Sequence, residues 1–524
     1  MKRKYILTAI WTTCVRVSWV FAASFDVPNG DVEAFRNAII RANKNTNELN
    51  VINLAPKGLY LFTSSYMTLQ GTTPTAGTVA LPPFEAASRV VINGNGAILR
   101  REEAAPAFRF FVAGNRSELT INQLSFQNGS THFGGGAIAA GYGSVLSVNA
   151  CKFQKNISNA AANYGGGAIY TQSQSTLNVN NSEFKNNEAS LYGGAICTFL
   201  SGVWINNTKF VENTAQLNGG AVYLNGANGD EGTISLQNSL WVMNQTTENG
   251  GAVWATTYNQ EAFKATKCIF SDNKAIGSNS KGGAIWLNTS AFSMPLQAFE
   301  YNYDDTQASF ERCVMNNNTA LENGGSLWLG GGKVNINHSM ISHNHVSNQQ
   351  SGLGGAIYSY KAKVNIENTT ITNNFAGKAA GGVFAGTKSK ISVSNTTLAY
   401  NISQKIHQSS NCGAIYTQKE MPSSSKLSEK PNCIDNYYIS KVTDAPDYPT
   451  RGQTLRNAIC DTEQIIFEQI TKNKISRLHR WVAAVPDTAQ QTAKESNAPL
   501  QDAPLAFSAD ALKQWKQQIN KLFR

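Results

Sequence analysis

Few residues in this chain have the types and spacing that acid–base, metal or nucleophilic chemistry needs. Cleaving or rearranging a polysaccharide requires two acid or base groups held a few ångströms apart. The adjacent acidic pairs of the central region are Asp230-Glu231, which follows Asn225-Gly226 in a turn-rich stretch, and Asp304-Asp305, which lies between Trp286 and Phe310. Both read as solvated turns. His338, His343 and His345 cluster, and alternation would put His343 and His345 on one face if that segment is extended. No acidic or thiol partner accompanies them, so no metal and no cofactor is expected. Cys151, Cys268 and Cys313 fall in a column otherwise filled by Ser and Thr. They are expected as buried free thiols, although Cys268 and Cys313 belong to successive repeats and lie within conceivable disulfide range. Cys412, Cys433 and Cys460 lie near the C-terminal region and are candidates to staple it.

Aromatic rings are the better-placed chemistry. A column runs Tyr170, Cys197, Tyr223, Trp254, Trp286, Trp328, Tyr358, each just after an aliphatic residue: Ile169, Ile196, Val222, Val253, Ile285, Leu327, Ile357. On a strand, neighbours point to opposite faces. If the aliphatic column faces the core, the aromatic column faces out. Tyr170, Tyr223, Trp254, Trp286, Trp328 and Tyr358 are therefore expected as an exposed binding stripe, suited to sugar rings or a protein partner. The opposing arrangement has both columns inward, with the Ala before the aliphatic residue making room for the ring.

The elements that must position this column are repeats. Phe184-Lys185-Asn186-Asn187 leads to Gly193-Gly194-Ala195-Ile196; Phe210 to Asn213 leads to Gly219-Gly220-Ala221-Val222; Trp241 to Asn244 leads to Gly250-Gly251-Ala252-Val253. The pair returns about every 27–31 residues from residue 119 to 401, a period that marks a solenoid. Within a repeat, Leu177-x-Val179-x-x-Ser182-x-Phe184 predicts a short strand, a bend at the extra residue, and a resumed strand with Leu177, Val179, Ser182 and Phe184 inward. Asn187, Asn213, Asn244 and Asn318 are expected to stack in one turn column, Asn being tolerant of the left-handed conformation and able to bond its own kind in the next coil. The Gly pairs allow backbone to pack where a Cβ would clash. Asn-x-Ser/Thr triplets such as Asn206-Asn207-Thr208 fall on these turns, so the repeat accounts for them without glycosylation.

The paired FxxN and GGA[ILV] motifs resemble the polymorphic membrane protein repeat of chlamydial surface autotransporters, over roughly residues 90–417. The wider similarity is to pectin-lyase-like right-handed parallel β-helices. The resemblance implies an all-β, right-handed parallel β-helix, and a surface adhesin whose repeat motifs take part in attachment to host cells, in association with the outer membrane. Members of that family end in a membrane β-barrel; residues 418–524 supply no alternating ten-residue strands of that kind, so self-translocation is in doubt.

Residues 1–23, with Lys2-Arg3-Lys4 before an apolar stretch and Ala22-Ala23-Ser24 at its end, read as a secretory signal. Residues 24–110 read as an N-terminal cap and first coils, with a short amphipathic helix from Asp31 to Ile40 plugging the open end. Residues 111–417 are the β-helix, interrupted by a protruding loop between Trp286 and Phe310; residues 418–524 are a poorly defined tail, partly linker-like with short helices. Only 15% of the residues are charged and the net charge is +10, a composition suited to an extracellular β protein and compatible with acidic surface polysaccharide. No basic block with interleaved aromatics points to nucleic acid. The expectation is a secreted or cell-surface, non-enzymatic β-helix that binds a host-cell surface or glycan ligand. A carbohydrate-active lyase or hydrolase and a structural envelope protein are the alternatives.

Overall fold

The computed structural model describes residues 23–46, 48–161, 164–227, 232–258, 261–289 and 307–403, together with the short strands Ile415–Thr417, Asn432–Ile434, Tyr437–Tyr438 and Ile459–Cys460. The expected signal segment, the acidic pairs 230–231 and 304–305, the loop 290–306 and most of the tail lie outside these residues.

One coil explains the rest. Thr176–Asn180 and Glu183–Lys185 join a long sheet, Glu188–Ala189 a narrow sheet, and Ile196–Phe199 a third, here called the ladder sheet. All stack in parallel on the equivalent strands of the next coil: Leu177 on Val203, Phe184 on Phe210, Ala189 on Ala215, Ile196 on Val222. The long sheet has 24 strands, the ladder sheet 12 and the narrow sheet 11, making a parallel β-helix. Leu177, Val179, Ser182 and Phe184 are all buried, and Lys185 points out, near Glu212. Buried rings stack down the interior: Phe126, Phe153, Phe184, Phe210 and Trp241 lie 4.8, 4.6, 4.9 and 4.1 Å apart, their planes nearly parallel.

Among the left-handed residues of a coil, two bracket the strand that carries the interior ring. Asn181 (φ 51°) makes the bend before Ser182, and Asn186 (φ 54°) makes the turn after Phe184. The second corrects the expected role of the asparagine column. The left-handed residue is the one before it, and it varies freely: Asn186, Glu212, Met243, Asp272, Asn317, His343. The column itself is a hydrogen-bond ladder. Asn213 Oδ1 accepts from the backbone N–H of Asn187 (3.1 Å) and from its Nδ2 (2.9 Å), while Asn213 Nδ2 donates to Phe184 O (3.0 Å) and Asn244 Oδ1 (2.9 Å). The same pattern joins Asn273, Asn318, Asn344, Asn374 and Asn401. Where the loops before the glycines are longer, extra residues such as Ile276, Ser278 and Gln349 bulge into solvent. The glycines are demanded by space: a Cβ on Gly194 would lie 2.2 Å from Gly220 O, and Gly193 also has φ 60°.

At the N-terminal end the helix Val32–Asn43 is capped by Asp31, whose carboxylate accepts from Ala34 N at 2.8 Å, and it buries Phe35, Ala38, Ile39 and Ala42 over the first coils. The strand Ala23–Val27 pairs with Leu49–Leu54 beneath it. The opposite end differs from expectation. Asn432–Ile434, Tyr437–Tyr438 and Ile459–Cys460 pair onto Thr397–Ala399, Ile402–Ser403 and Ile415–Thr417, carrying all three sheets past residue 417. The spacing was present in degenerate form: Cys433-x-x-Asn436 keeps the apolar-x-x-Asn interval with Cys for Phe, and Ala458-Ile459-Cys460 repeats Ala195-Ile196-Cys197.

Cys151, Cys197, Cys268 and Cys313 are buried free thiols. Burial pushes the Cys151 and Cys268 thiols up to about 12. Folding therefore favours the protonated thiol. That stabilisation is complete below the ordinary thiol value near 9 and is lost as pH rises toward the folded value. Native protein should leave these four thiols unreactive to a thiol reagent at pH 8, and its urea midpoint should fall between pH 9 and 12; rapid native labelling would contradict the burial. Phe184→Ala should cost roughly 3–5 kcal/mol. Asn213→Ala, which strands the donors of Asn187, should cost about 1–3 kcal/mol in the same titration.

Candidate binding surface

The ladder sheet holds the aliphatic column at zero exposure from Ile138 through Ile357. The aromatic column consequently takes the opposite face, as strand alternation requires. It is longer than the sequence reading had it: after Tyr358 come Phe384 and Tyr416, in register. Successive rings are stacked. Tyr223 to Trp254 is 4.3 Å with an 8° interplanar angle, Trp254 to Trp286 is 4.9 Å and 4°, and Trp286 to Trp328 is 4.7 Å and 5°. Trp328 to Tyr358 opens to 6.4 Å, and Tyr358 to Phe384 is 5.4 Å.

The expected exposed stripe is corrected in two ways. Tyr170 and Tyr223 are only 3% and 7% exposed, closed over by Tyr164, Tyr192 and Phe199. The small Cys197 is the cause. It leaves a gap in the column, and Phe199, two residues on and on the same face, leans between Tyr170 (6.0 Å) and Tyr223 (5.7 Å). Burial raises both tyrosine hydroxyls above their ordinary value. Second, Trp254, Trp286, Trp328 and Tyr358 are half-buried. Their faces lie against one another, so what reaches solvent is ring edges. Such a ridge offers apolar edge contact, and from Tyr223 to Trp328 the ring faces are taken up by one another rather than left for a sugar.

The N-terminal end of this face is covered. The hairpin Met67–Leu69/Gly77–Val79 sets Leu69 and Val79 against Val112 and Ala139, the column positions before Tyr170. Arg109, fully buried, ties the covering segment down: it donates to Pro74 O (3.0 Å), Ala76 O (2.8 Å) and Thr131 Oγ1 (2.9 Å), and burial lowers it to about 9. Nothing in the local sequence singled out Arg109, because its three acceptors come from distant segments.

Other candidates from the sequence are dispersed. His338 and His343 occupy two different left-handed positions of a coil (φ 49° and 55°), so they and His345 do not share an extended face. His345 stacks on Phe375 at 4.6 Å. Burial lowers both His343 and His345. Among the described residues no three His, Cys, Asp or Glu side chains are grouped to hold a metal. An open cleft beside the turn at Glu102-Glu103 is lined by Arg100, Lys155 and Lys185. Arg100 there donates to Gln127 Oε1 (2.8 Å), and Lys185 lies 4.0 Å from Glu212.

Residues 181–198 and 267–288 match the Chlamydia polymorphic membrane protein (Chlamydia_PMP) repeat. Each matched stretch runs from the left-handed bend through the ladder asparagine into the ladder sheet. Among solved structures, the Azotobacter vinelandii mannuronan C-5 epimerase AlgE4 A-module is similar at 11% identity, with a TM-score of 0.33, covering 79% of this chain and 93% of that one. No curated protein matches the chain.

Trp286 stacks on two neighbours, each contact contributing about 0.5–1.5 kcal/mol. Trp286→Ala should therefore cost about 1–3 kcal/mol in urea unfolding and abolish the coupled near-ultraviolet dichroism of the stacked indoles, while Trp286→Tyr should retain most of the stability. An unchanged midpoint for the Ala variant would show that the stack does not contribute.

Proposed function

We propose that this protein is a surface-exposed, non-enzymatic β-helix that attaches to a host-cell or surface ligand through its solenoid. The carrying observation is the half-buried ridge of Trp254, Trp286, Trp328 and Tyr358, an aromatic surface that runs over four successive coils. Contiguous apolar surface of this kind marks interaction sites on secreted proteins. Its stacked geometry favours a protein partner, which meets ring edges, over facial stacking of a sugar. The matched repeat supports the same reading, since the family it describes is one of membrane-associated surface proteins. Attachment at the cell surface and association with the outer membrane belong to this proposal.

The test is attachment of the purified full chain to cultured host cells, compared with a variant in which Trp254, Trp286 and Trp328 become Phe. Phenylalanine keeps the ring stack but removes the indole N–H and shortens the exposed edge. Attachment should fall about tenfold with little change in unfolding midpoint. Equal attachment by the variant would move the binding surface elsewhere on the solenoid. Turnover of any member of an acidic and neutral polysaccharide panel would overturn the non-enzymatic reading.

A further inference from the structure

The outward position that opens the first strand of the long sheet changes character along the solenoid. Near the N-terminus it carries a complementary pair, Arg89 against Glu118, with Nε 3.0 Å from the carboxylate. Three late coils instead place Lys333, Lys363 and Lys390 in direct register. Two residues earlier in the last two of these coils, Lys361 and Lys388 hold equivalent left-handed positions (φ 52° and 56°), extending the row around the turn from the ladder sheet. Like charges directly opposite on neighbouring strands are destabilising, so a fold indifferent to charge at these sites would alternate or dilute them. Among the described residues, Lys333, Lys388 and Lys390 have no carboxylate within ion-pair distance.

The row abuts the aromatic ridge. Tyr358 and Tyr360 share the outward face of the preceding strand, and Lys361 Nζ lies 5.2 Å from the Tyr360 ring centroid. Coils of a parallel β-helix are about 4.8 Å apart, close to the advance of one sugar unit along an extended polysaccharide. A lysine row with that spacing presents one cation per sugar unit, beside partly exposed tyrosine rings.

We propose that the edge formed by Lys333, Lys361, Lys363, Lys388 and Lys390 is a binding track for a linear acidic polysaccharide, lying along the solenoid axis with its sulfate or carboxylate groups against successive coils. This deepens the reading of the solenoid as a binding surface and rests on it. Chain length enters directly: three registered lysines engage about three consecutive sugar units, so affinity rises with oligosaccharide length up to that size and then levels.

The experiment uses the full chain with size-defined heparin oligosaccharides, a polyuronate, neutral dextran, single-stranded DNA and phosphatidylserine vesicles as probes. Heparin and polyuronate should bind and dextran should not. K333Q/K388Q/K390Q should weaken heparin binding at least about tenfold and flatten its salt dependence, with the unfolding midpoint preserved; K333R/K388R/K390R should bind within about twofold of the parent. Unchanged heparin affinity in the Gln variant overturns the proposal, and so does tighter binding of DNA or vesicles than of either polysaccharide. Host-cell attachment measured in parallel separates this proposal from the one it rests on. Attachment without heparin binding removes the polysaccharide track and leaves the adhesin reading; heparin binding without attachment does the reverse.

Discussion

The structure depends on parallel stacking in strict register, and the buried asparagine ladder is where that register is enforced most strongly. Each ladder amide is enclosed, and its main partners are the backbone and amide of the coils on either side. A buried amide without partners costs far more than a partnered one gains. No coil can therefore shift or swing out without stranding donors in two others. The glycine pairs act in the same direction from across the coil, because they let backbone approach at a distance no side chain would permit. Stability is consequently shared between neighbours, as expected for a solenoid whose single unit cannot bury its own face.

Once register is held, every position becomes a column, and a column's chemistry is that of its repeated side chain. The interior Phe and Trp column and the exterior Trp and Tyr column are made by the same rule and show nearly the same ring separations. They differ in the sheet that carries them and in facing: the interior column points inward from the long sheet and the exterior column outward from the ladder sheet. Stacking also decides what the exterior rings offer. Faces that would serve a ligand are consumed by neighbouring rings, and edges remain. The lysine row obeys the same geometry with the opposite sign: registration that lets aromatic rings attract one another forces cations together.

The ends and covers of the solenoid answer a different need. A parallel β-helix has open coil edges that template further pairing. The helix Val32–Asn43 closes one end by laying Phe35 against Tyr60 and Phe111. The hairpin around Gly77 covers the first part of the ladder face, and the buried Arg109 holds it there with backbone carbonyls as its principal acceptors. The apolar outer face is thus sealed near the N-terminal end and partly open from Trp254 onward.

Sequence alone determined the period, the inward register of Leu177, Val179, Ser182 and Phe184, the cap helix and the side of the sheet on which the aromatic column lies. Each follows from local alternation or spacing, which repetition makes easy to read. It also held, in weaker form, the continuation of the strands past residue 417, where Cys433 replaces the aromatic residue and hides the motif. Tertiary structure decided how far each ring is exposed, because that depends on side chains such as Phe199 and Tyr192 arriving from other positions and other coils. It decided that the residue before the asparagine takes the left-handed turn, since backbone conformation there is imposed by stacking and leaves the side chain free to vary. It decided, too, that Lys333, Lys363 and Lys390 are neighbours. In the chain they are some thirty residues apart, and only the coil-to-coil register of parallel strands turns that interval into a contact distance.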